Sequence, residues 1–461
     1  MATFTLGEVA GIVGGTLHDS DPATVVDPRA EFDSRRPIPR GGLFVAFVGE
    51  KVDGHDFGAR AVADGAVAVL ASRPIAGVPT VVVDDPRDAL GRLAAAHLRR
   101  RPDLVTVGVT GSSGKTTTKD LITRMLARIG PTVGTEGSLN NELGAPYTAL
   151  QVRDETRFLV LEMGAKGKGH IRYLCEIAPP TVAVVTNVGT SHLEGFGSQD
   201  GIAEAKAELV EALPATGFAV LNADDPRVRG MAARTSARVV LTGEAEDADL
   251  RAVDVALVGR GCYRYTLVNG DEGADVTLVS PGRHMVGNSL QAAAVAVRLG
   301  MSLPDVASTL GDLAPLSTRR MDVFDRADGV TVIDDSYNAN PASMAAALRA
   351  LVALAGGERR TWAVLGSMGE LGAYEQAGHE EVGRLAAELG VDRVVAVGPQ
   401  AAPIHRAAVA VEGWGGSSVL VTDQAAAVAL VRGELRPGDV VLVKGSRYRT
   451  WDIVDSLRAS A

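Results

Sequence analysis

The sequence predicts an α/β protein of three domains, with a central parallel sheet of the P-loop type. Three observations predict this. The chain has 461 residues, too many for one ordinary domain and enough for roughly two to four. Short apolar runs of strand length alternate with helical stretches, the pattern of a mostly parallel sheet covered on both faces. One such run, Val105 to Thr110, leads directly into a glycine-rich turn and the start of a helix.

Residues 1–102 read as a small α/β unit. Leu43-Phe-Val-Ala-Phe47, Ala66-Val-Ala-Val-Leu70 and Thr80-Val-Val-Val-Asp84 have strand length, with a short helix from Gly58 to Asp64. The basic segment Arg99-Arg-Arg-Pro102 reads as a linker. In residues 103–315, strands follow the glycine-rich turn at Phe158–Leu161, Thr181–Val185 and Phe218–Leu221. Leu313 to Thr318 reads as a hinge. Residues 316–461 repeat the alternation, with strands at Val330–Ile333, Trp362–Leu365, Arg393–Val397, Ser418–Val421 and Val440–Val443. No short-period repeat or low-complexity tract interrupts the chain.

The turn is Thr110-Gly-Ser-Ser-Gly-Lys-Thr-Thr-Thr-Lys119. Gly111 and Gly114 allow a tight backbone, and Ser112 and Ser113 add donors. A helix N-terminus contributes its positive dipole end to the same place. Lys115 can reach terminal phosphates, Thr116 can ligate Mg²⁺, and Thr117 lies beside it. The spacing departs from the Walker pattern, because Val109 stands where that pattern has glycine.

Bulk properties narrow the function. A net charge of −10 argues against a general nucleic-acid binder. Two cysteines, Cys175 and Cys262, cannot build a disulfide framework and fit a reducing cytoplasm. No signal-peptide pattern opens the chain, and no apolar run is long enough for a membrane span. Only seven of the 46 basic residues are lysines. Where lysine stands in so arginine-biased a chain, a primary amine can be a chemical requirement.

Ligands of open α/β sheets bind beyond the carboxyl ends of the strands. Glu162 follows one strand and suits a Mg²⁺ ligand near a triphosphate, or an ordinary polar strand end. Asn187 and His192 follow the next, and a lone histidine there is more often structural than a ligand. Lys206 lies in a helical segment, where composition alone reads it as solvated. Asp334-Asp-Ser-Tyr-Asn-Ala-Asn-Pro341 can contact ribose hydroxyls or a peptide. It can also cap a helix through Asn340, with Pro341 in the first helical position. Gly366 to Gly372 is a further glycine-rich loop. Lys444-Gly-Ser-Arg447 is a small basic cluster suited to an anion.

Taken in order, these segments resemble the Mur ligase family over essentially the whole length. Asp33-Ser-Arg35, Gly49 to Phe57, Asn140-Asn-Glu-Leu-Gly-Ala-Pro146, Leu161-Glu-Met-Gly164, Thr186 to Glu194 and Ala205-Lys206 carry the resemblance further, as does Gly282-Arg-His-Met-Val-Gly-Asn288. The forms of the phosphate loop and of the Asp334–Pro341 turn resemble the member that adds D-alanyl-D-alanine to UDP-N-acetylmuramoyl-tripeptide.

The resemblance implies a UDP-binding N-terminal domain, an ATP-binding central domain and a C-terminal Rossmann-like domain for the incoming amine. It implies that Lys115 contacts ATP phosphates. Thr116, Glu162 and His192 would bind Mg²⁺, and Lys206 would be carbamylated by CO₂. Asn141 and Asn288 would contact adenine, and Arg320 and Asp335 phosphate or ribose. Asp33, Ser34 and Arg35 would lie near UDP, with Asn338, Asn340, Lys444 and Arg447 at the substrates. The implied reaction passes through an acyl phosphate in a cytoplasmic monomer.

Three places depart from the family pattern. Arg319 stands where glycine is usual, so its side chain is expected to intrude beside Arg320. Ala165-Lys-Gly-Lys-Gly-His-Ile171 is more basic than expected, and Tyr448-Arg-Thr-Trp-Asp452 stands where Met-Glu is typical. These leave open a paralogue with other substrates and, further off, a non-catalytic ATP-binding scaffold.

Overall fold

Strands that are apolar on both faces are stable only when covered on both sides, and this chain builds its sheets around such strands. The computed structural model describes residues 3–49, 52–190, 193–313, 317–446 and 450–459. Within them the fold is α/β, in three domains.

The central sheet has nine strands. Thr132–Gly134, Phe158–Glu162, Val105–Thr110, Val182–Val185, Phe218–Asn222, Arg238–Gly243 and Leu250–Val258 lie side by side in that order and run parallel. Cys262–Asn269 and Glu272–Thr277 add an antiparallel edge. The chain leaves Val105–Thr110 toward one side of the sheet and later returns to its other side. The carboxyl end of that strand is therefore a topological switch point, where such sheets bind ligands. On one sheet face Val107, Val109, Val160 and Val184 share an apolar cluster with the helices Lys115–Leu126 and His284–Arg298.

The opposite face continues without a break into the N-terminal domain. Leu159, Leu161, Val185 and Leu221 share one apolar cluster with Phe4, Leu43, Leu70 and Leu93. The N-terminal sheet runs Thr16–His18, Thr80–Val82, Ala68–Ala71, Leu43–Val45, Ala30–Glu31. The third domain has its own cores on both faces of a six-stranded sheet. Its order is Asp322–Asp325, Thr331–Asp335, Val440–Lys444, Thr361–Gly366, Arg393–Val397, Ser417–Val421, antiparallel only at the first pair.

Some elements differ from the sequence expectation. Phe158–Glu162, Thr331–Asp335 and Val440–Lys444 run one or two residues further, because their parallel neighbours continue the ladder to the polar ends. The segment before Arg99–Pro102 is a helix, Pro86–Arg99, capped by Asp85 with proline in its first turn. The strands between residues 250 and 277 alternate polar and apolar residues. Half-exposed antiparallel strands lack the continuous apolar run that marks a buried one.

Candidate active site

The strand Val105–Thr110 delivers Gly111 at φ +151° and Gly114 at φ +79°. A Cβ on Gly111 would fall 1.7 Å from Thr186 Oγ1, and one on Gly114 would fall 2.5 Å from Asn288 Oδ1. Both positions therefore require glycine on grounds of space as well as conformation.

The next strand end braces this loop. Asn187 accepts from the Ser113 N–H and donates to the Ser113 carbonyl, both at 3.0 Å. Thr186 donates to the same carbonyl at 2.6 Å, and the Gly189 N–H donates to Ser112 Oγ at 2.9 Å. The helix Lys115–Leu126 follows, with no side chain capping its N-terminus. Its first N–H groups are free to meet an anion. The Lys115 ammonium donates to the Gly111 carbonyl at 2.7 Å and the Ser112 carbonyl at 3.3 Å. Burial pushes its pKa down, against the opposing pull of Glu162.

Glu162 ends its strand 1% exposed. Thr116 donates to its Oε2 at 2.7 Å and Asn140 to its Oε1 at 2.6 Å. Ser138 lies 3.2 Å from the Thr116 hydroxyl and accepts from Arg320 of the third domain at 2.6 Å. These groups line a cavity of about 780 Å³ between the central and third domains. Thr116 and Glu162 put a hydroxyl and a carboxylate oxygen side by side at the cavity wall. Hard oxygen donors of this kind fit Mg²⁺.

Lys206 lies on the helix Gln199–Glu211, in the same cavity lining, and is 5% exposed. The reading of a solvated lysine is therefore corrected: its face of the helix is the packed one. Its amine has no hydrogen-bonding or ionic partner among the described residues. Burial, then the Lys115 charge, lowers its pKa well below the ordinary lysine value.

The third domain closes the cavity with Asp335, Asn338, Asn340 and Lys444. Lys444 donates to Asp335 Oδ2 at 2.5 Å and to the Asn338 carbonyl at 2.9 Å. It is 2% exposed. Its charge is thus neutralised by Asp335. Asn340 caps the helix Pro341–Ala355 through Ser343, with Pro341 at its start, and its amide lies 3.3 Å from Ser113 Oγ across the domain seam. Asn340→Ala should therefore lower stability by about 1 kcal/mol in a denaturant melt, with Asn340→Asp retaining most of it. Equal melts for wild type and Asn340→Ala would refute the capping assignment.

Arg319 does not intrude on Arg320. Its backbone is left-handed, φ +61°, a conformation that favours glycine. That turns its side chain away onto Asp455 at 2.8 Å, while Arg320 points to Ser138.

Residues 109–296 match the family described as "Mur ligase middle domain" and residues 319–447 "Mur ligase, glutamate ligase domain". Residues 35–98 match "Mur ligase family, catalytic domain". A protein of Mycobacterium tuberculosis (strain CDC 1551 / Oshkosh) is 45% identical, covering 97% of this chain and 96% of its own. It is named UDP-N-acetylmuramoyl-tripeptide--D-alanyl-D-alanine ligase. The chain belongs to the Mur ligase family. An Escherichia coli (strain K12) protein of the same name is 36% identical over the same shares. The crystal structure of MurF from Acinetobacter baumannii superposes with a TM-score of 0.86 at 33% identity, covering 100% of this chain and 99% of that one. MurF of Thermotoga maritima in complex with ADP gives 0.79 at 30% identity, with 94% and 97% covered.

In this Mur ligase the structure gathers Gly111, Ser112, Ser113, Gly114, Lys115, Thr116, Thr117, Asn141, Glu162, Lys206, Asn288, Arg320 and Asp335 around one cavity. Asn141 Oδ1 there accepts from the Gly144 N–H at 3.0 Å, while its neighbour Asn140 holds Glu162. Asp33, Ser34 and Arg35 stand apart from the lining. Arg35 pairs with Asp33 and holds its carboxyl down at about 2. His192 and Arg447 lie outside the described residues. Sequence reading missed Ser138, whose only signal is its place two residues before Asn140. It also missed the bracing role of Thr186.

Proposed function

We propose that this chain is an ATP-dependent amide ligase that joins D-alanyl-D-alanine to UDP-N-acetylmuramoyl-tripeptide through an acyl phosphate. The observation that carries the reading is a single cavity shared by a phosphate loop, a Thr116–Glu162 oxygen pair and the buried Lys206 amine, which has no partner among the described residues. The named relatives supply the substrates.

A carboxylate does not form an amide at neutral pH without activation. The loop N–H groups and the helix N-terminus hold the triphosphate, and Lys115 turns from its own carbonyls to the transferred group. The tripeptide carboxylate attacks the γ-phosphorus, its C–O–P bond forms, and the bond to the leaving ADP breaks. The dipeptide amine then attacks the acyl carbon. The tetrahedral adduct expels phosphate, and the amine proton leaves to solvent. Thr116 and Glu162 would hold Mg²⁺, which supplies charge neutralisation on the phosphates when bound.

Lys206 fits carbamylation because CO₂ reacts with a neutral amine, and this site disfavours the ammonium. The product is an anion on a long arm in the cavity that Thr116 and Glu162 also line, which arginine cannot provide. The Asp33–Arg35 turn is assigned to the UDP end, with the protein acting in the cytoplasm as a monomer.

The test is phosphate release from ATP with UDP-MurNAc-tripeptide and D-Ala-D-Ala added separately and together, with the product mass recorded. The expected result is release with both present and the pentapeptide mass. Turnover with the UDP substrate alone would favour the paralogue reading. No turnover in Mg²⁺ and bicarbonate would sink the assignment.

A further inference from the structure

Part of the cavity wall is a segment that other elements must hold. After Glu162 the chain runs through Met163 to Gly169 before the helix His170–Ile177 begins. Its start is tied down: the Met163 N–H donates to the Val109 carbonyl and the Gly164 N–H to the Asn140 carbonyl, both at 2.8 Å. Lys166 and His170 then line the cavity, as Lys206 does. The far end is poorly equipped from within. Gly169, which has no side chain, stands at the cap position with φ +88°, and no acid stands in the first helical turn. The first N–H groups of a helix need a partner from elsewhere in that case.

The partner comes from the helix Gln199–Glu211. Glu208 Oε1 accepts from the Gly169 N–H at 2.6 Å, and its Oε2 accepts from the Arg172 N–H at 3.0 Å. One carboxylate thus does the work of a cap and puts negative charge at the positive end of the helix dipole. Two more acids of the same helix reach this segment: Glu204 pairs with Lys168, and Glu211 with Arg172 at 3.8 Å. Spacings of four and three residues place the three acids on one stripe. They do not contribute equally. Lys168 and Arg172 are exposed, and exposed ion pairs add little. Glu208 is 6% exposed, so its bonds carry the hold. The basic run Ala165–Ile171, a departure from the family pattern, therefore meets a matching acidic stripe.

We infer that Glu208 is a positioning residue for the ligase reaction, capping the helix His170–Ile177 from outside and so holding Lys166 and His170 in place for the carboxylate substrate. The inference rests on the ligase reading and adds a residue to it. Lys206 lies two residues before Glu208, so one helix sets both that amine and the segment bearing Lys166 and His170. The substrate carboxylate must come to the transferred phosphate beside Glu162, where this segment begins. A fixed ammonium and imidazole in that wall favour an anion, and held in advance they lose little freedom when it binds. The phosphate loop is braced separately, by Thr186 and Asn187, so nucleotide binding does not depend on Glu208.

The test is steady-state kinetics on the full chain, varying each substrate in turn. Glu208→Ala is expected to raise KM for the UDP-linked tripeptide about ten-fold, the scale of a lost helix cap, and to leave KM for ATP near wild type. Glu208→Gln keeps the volume and one acceptor oxygen, and is expected to recover part of the loss. Glu204→Gln removes only an exposed pair and should move neither constant. Ser302→Ala controls for stability. It removes the cap of the helix Leu303–Asp312, where Ser302 Oγ accepts from the Asp305 N–H at 3.2 Å, and should lower the melt without moving KM. An unchanged tripeptide KM in Glu208→Ala, an equal rise for both substrates, or a matching rise in Ser302→Ala would overturn the inference. Wild-type protein without turnover would instead defeat the ligase reading itself. Hydrogen exchange then decides the capping alone: the amides of residues 164–172 must exchange faster in Glu208→Ala than in wild type, and unchanged exchange overturns it. Should Glu208→Ala not fold, Glu208→Gln carries both readouts.

Discussion

Replacing Lys206 by methionine is expected to remove ligase turnover by at least about 10³-fold and, in the same variant, to raise the stability of the protein. The two effects have one origin. Lys206 is 5% exposed and its amine has no partner among the described residues. An uncompensated buried amine is costly, and exchange for an apolar side chain of similar length relieves that cost. A gain of about 1–2 kcal/mol in bicarbonate-free buffer is expected, the usual trade between stability and an active-site group. The loss of turnover reflects the loss of the buried, unpaired amine there that CO₂ is proposed to convert to an anion.

The pH dependence has a definite sign. The folded pKa of Lys206 lies well below the ordinary lysine value, mainly through burial. Between those two values the unfolded chain binds a proton that the folded chain does not. Wild-type stability attributable to this group therefore rises with pH across that window, and the methionine variant loses the slope. Denaturant melts over a pH series measure it. A ¹³C-bicarbonate NMR experiment should show a carbamate carbonyl in wild type and none in the variant. Full turnover in Lys206→Met, or a melt insensitive to the exchange, would exclude this account.

Glu162→Gln should cost about 10²–10³-fold in turnover with little change in fold. The carboxylate is buried and accepts from Thr116 at 2.7 Å and Asn140 at 2.6 Å. Glutamine keeps the volume and the acceptor facing Asn140, so packing is preserved. It removes the negative charge and presents an amide nitrogen where Thr116 donates. A hard divalent cation loses its one buried anionic protein ligand among the described residues, and the phosphate charge is then less well neutralised. The readout that separates this from simple damage is the Mg²⁺ requirement. The Mg²⁺ concentration for half-maximal turnover should rise in Glu162→Gln, while the thermal midpoint stays near wild type. An unchanged Mg²⁺ requirement would remove Glu162 from the metal site.

Contiguous residues carried much of this reading. Gly111, Gly114, Lys115 and Thr116 announce the phosphate site because strand, turn and helix N-terminus follow one another along the chain. Asn340 and Pro341 announce a helix start for the same reason, since a cap is made by residues three apart. Apolar runs revealed most of the buried parallel strands, but not Thr132–Gly134 or Arg238–Gly243. The half-exposed strands between residues 250 and 277 stayed hidden, because alternation gives no run.

The class of fold, the phosphate loop and the set of strand ends at which chemistry gathers are legible in the chain alone. All of these depend on local pattern. The tertiary structure alone decided what each charged side chain does. Lys206 and Lys444 are both buried lysines, yet Lys444 is neutralised by Asp335 from a strand 109 residues away and Lys206 has no partner among the described residues. Arg319 turns from its neighbour Arg320 because one backbone angle is positive, and Asn140 rather than Asn141 reaches Glu162. Periodicity assigns a residue to a face. Sheet register and the seam between domains assign its partner, and the partner sets its charge and its chemistry.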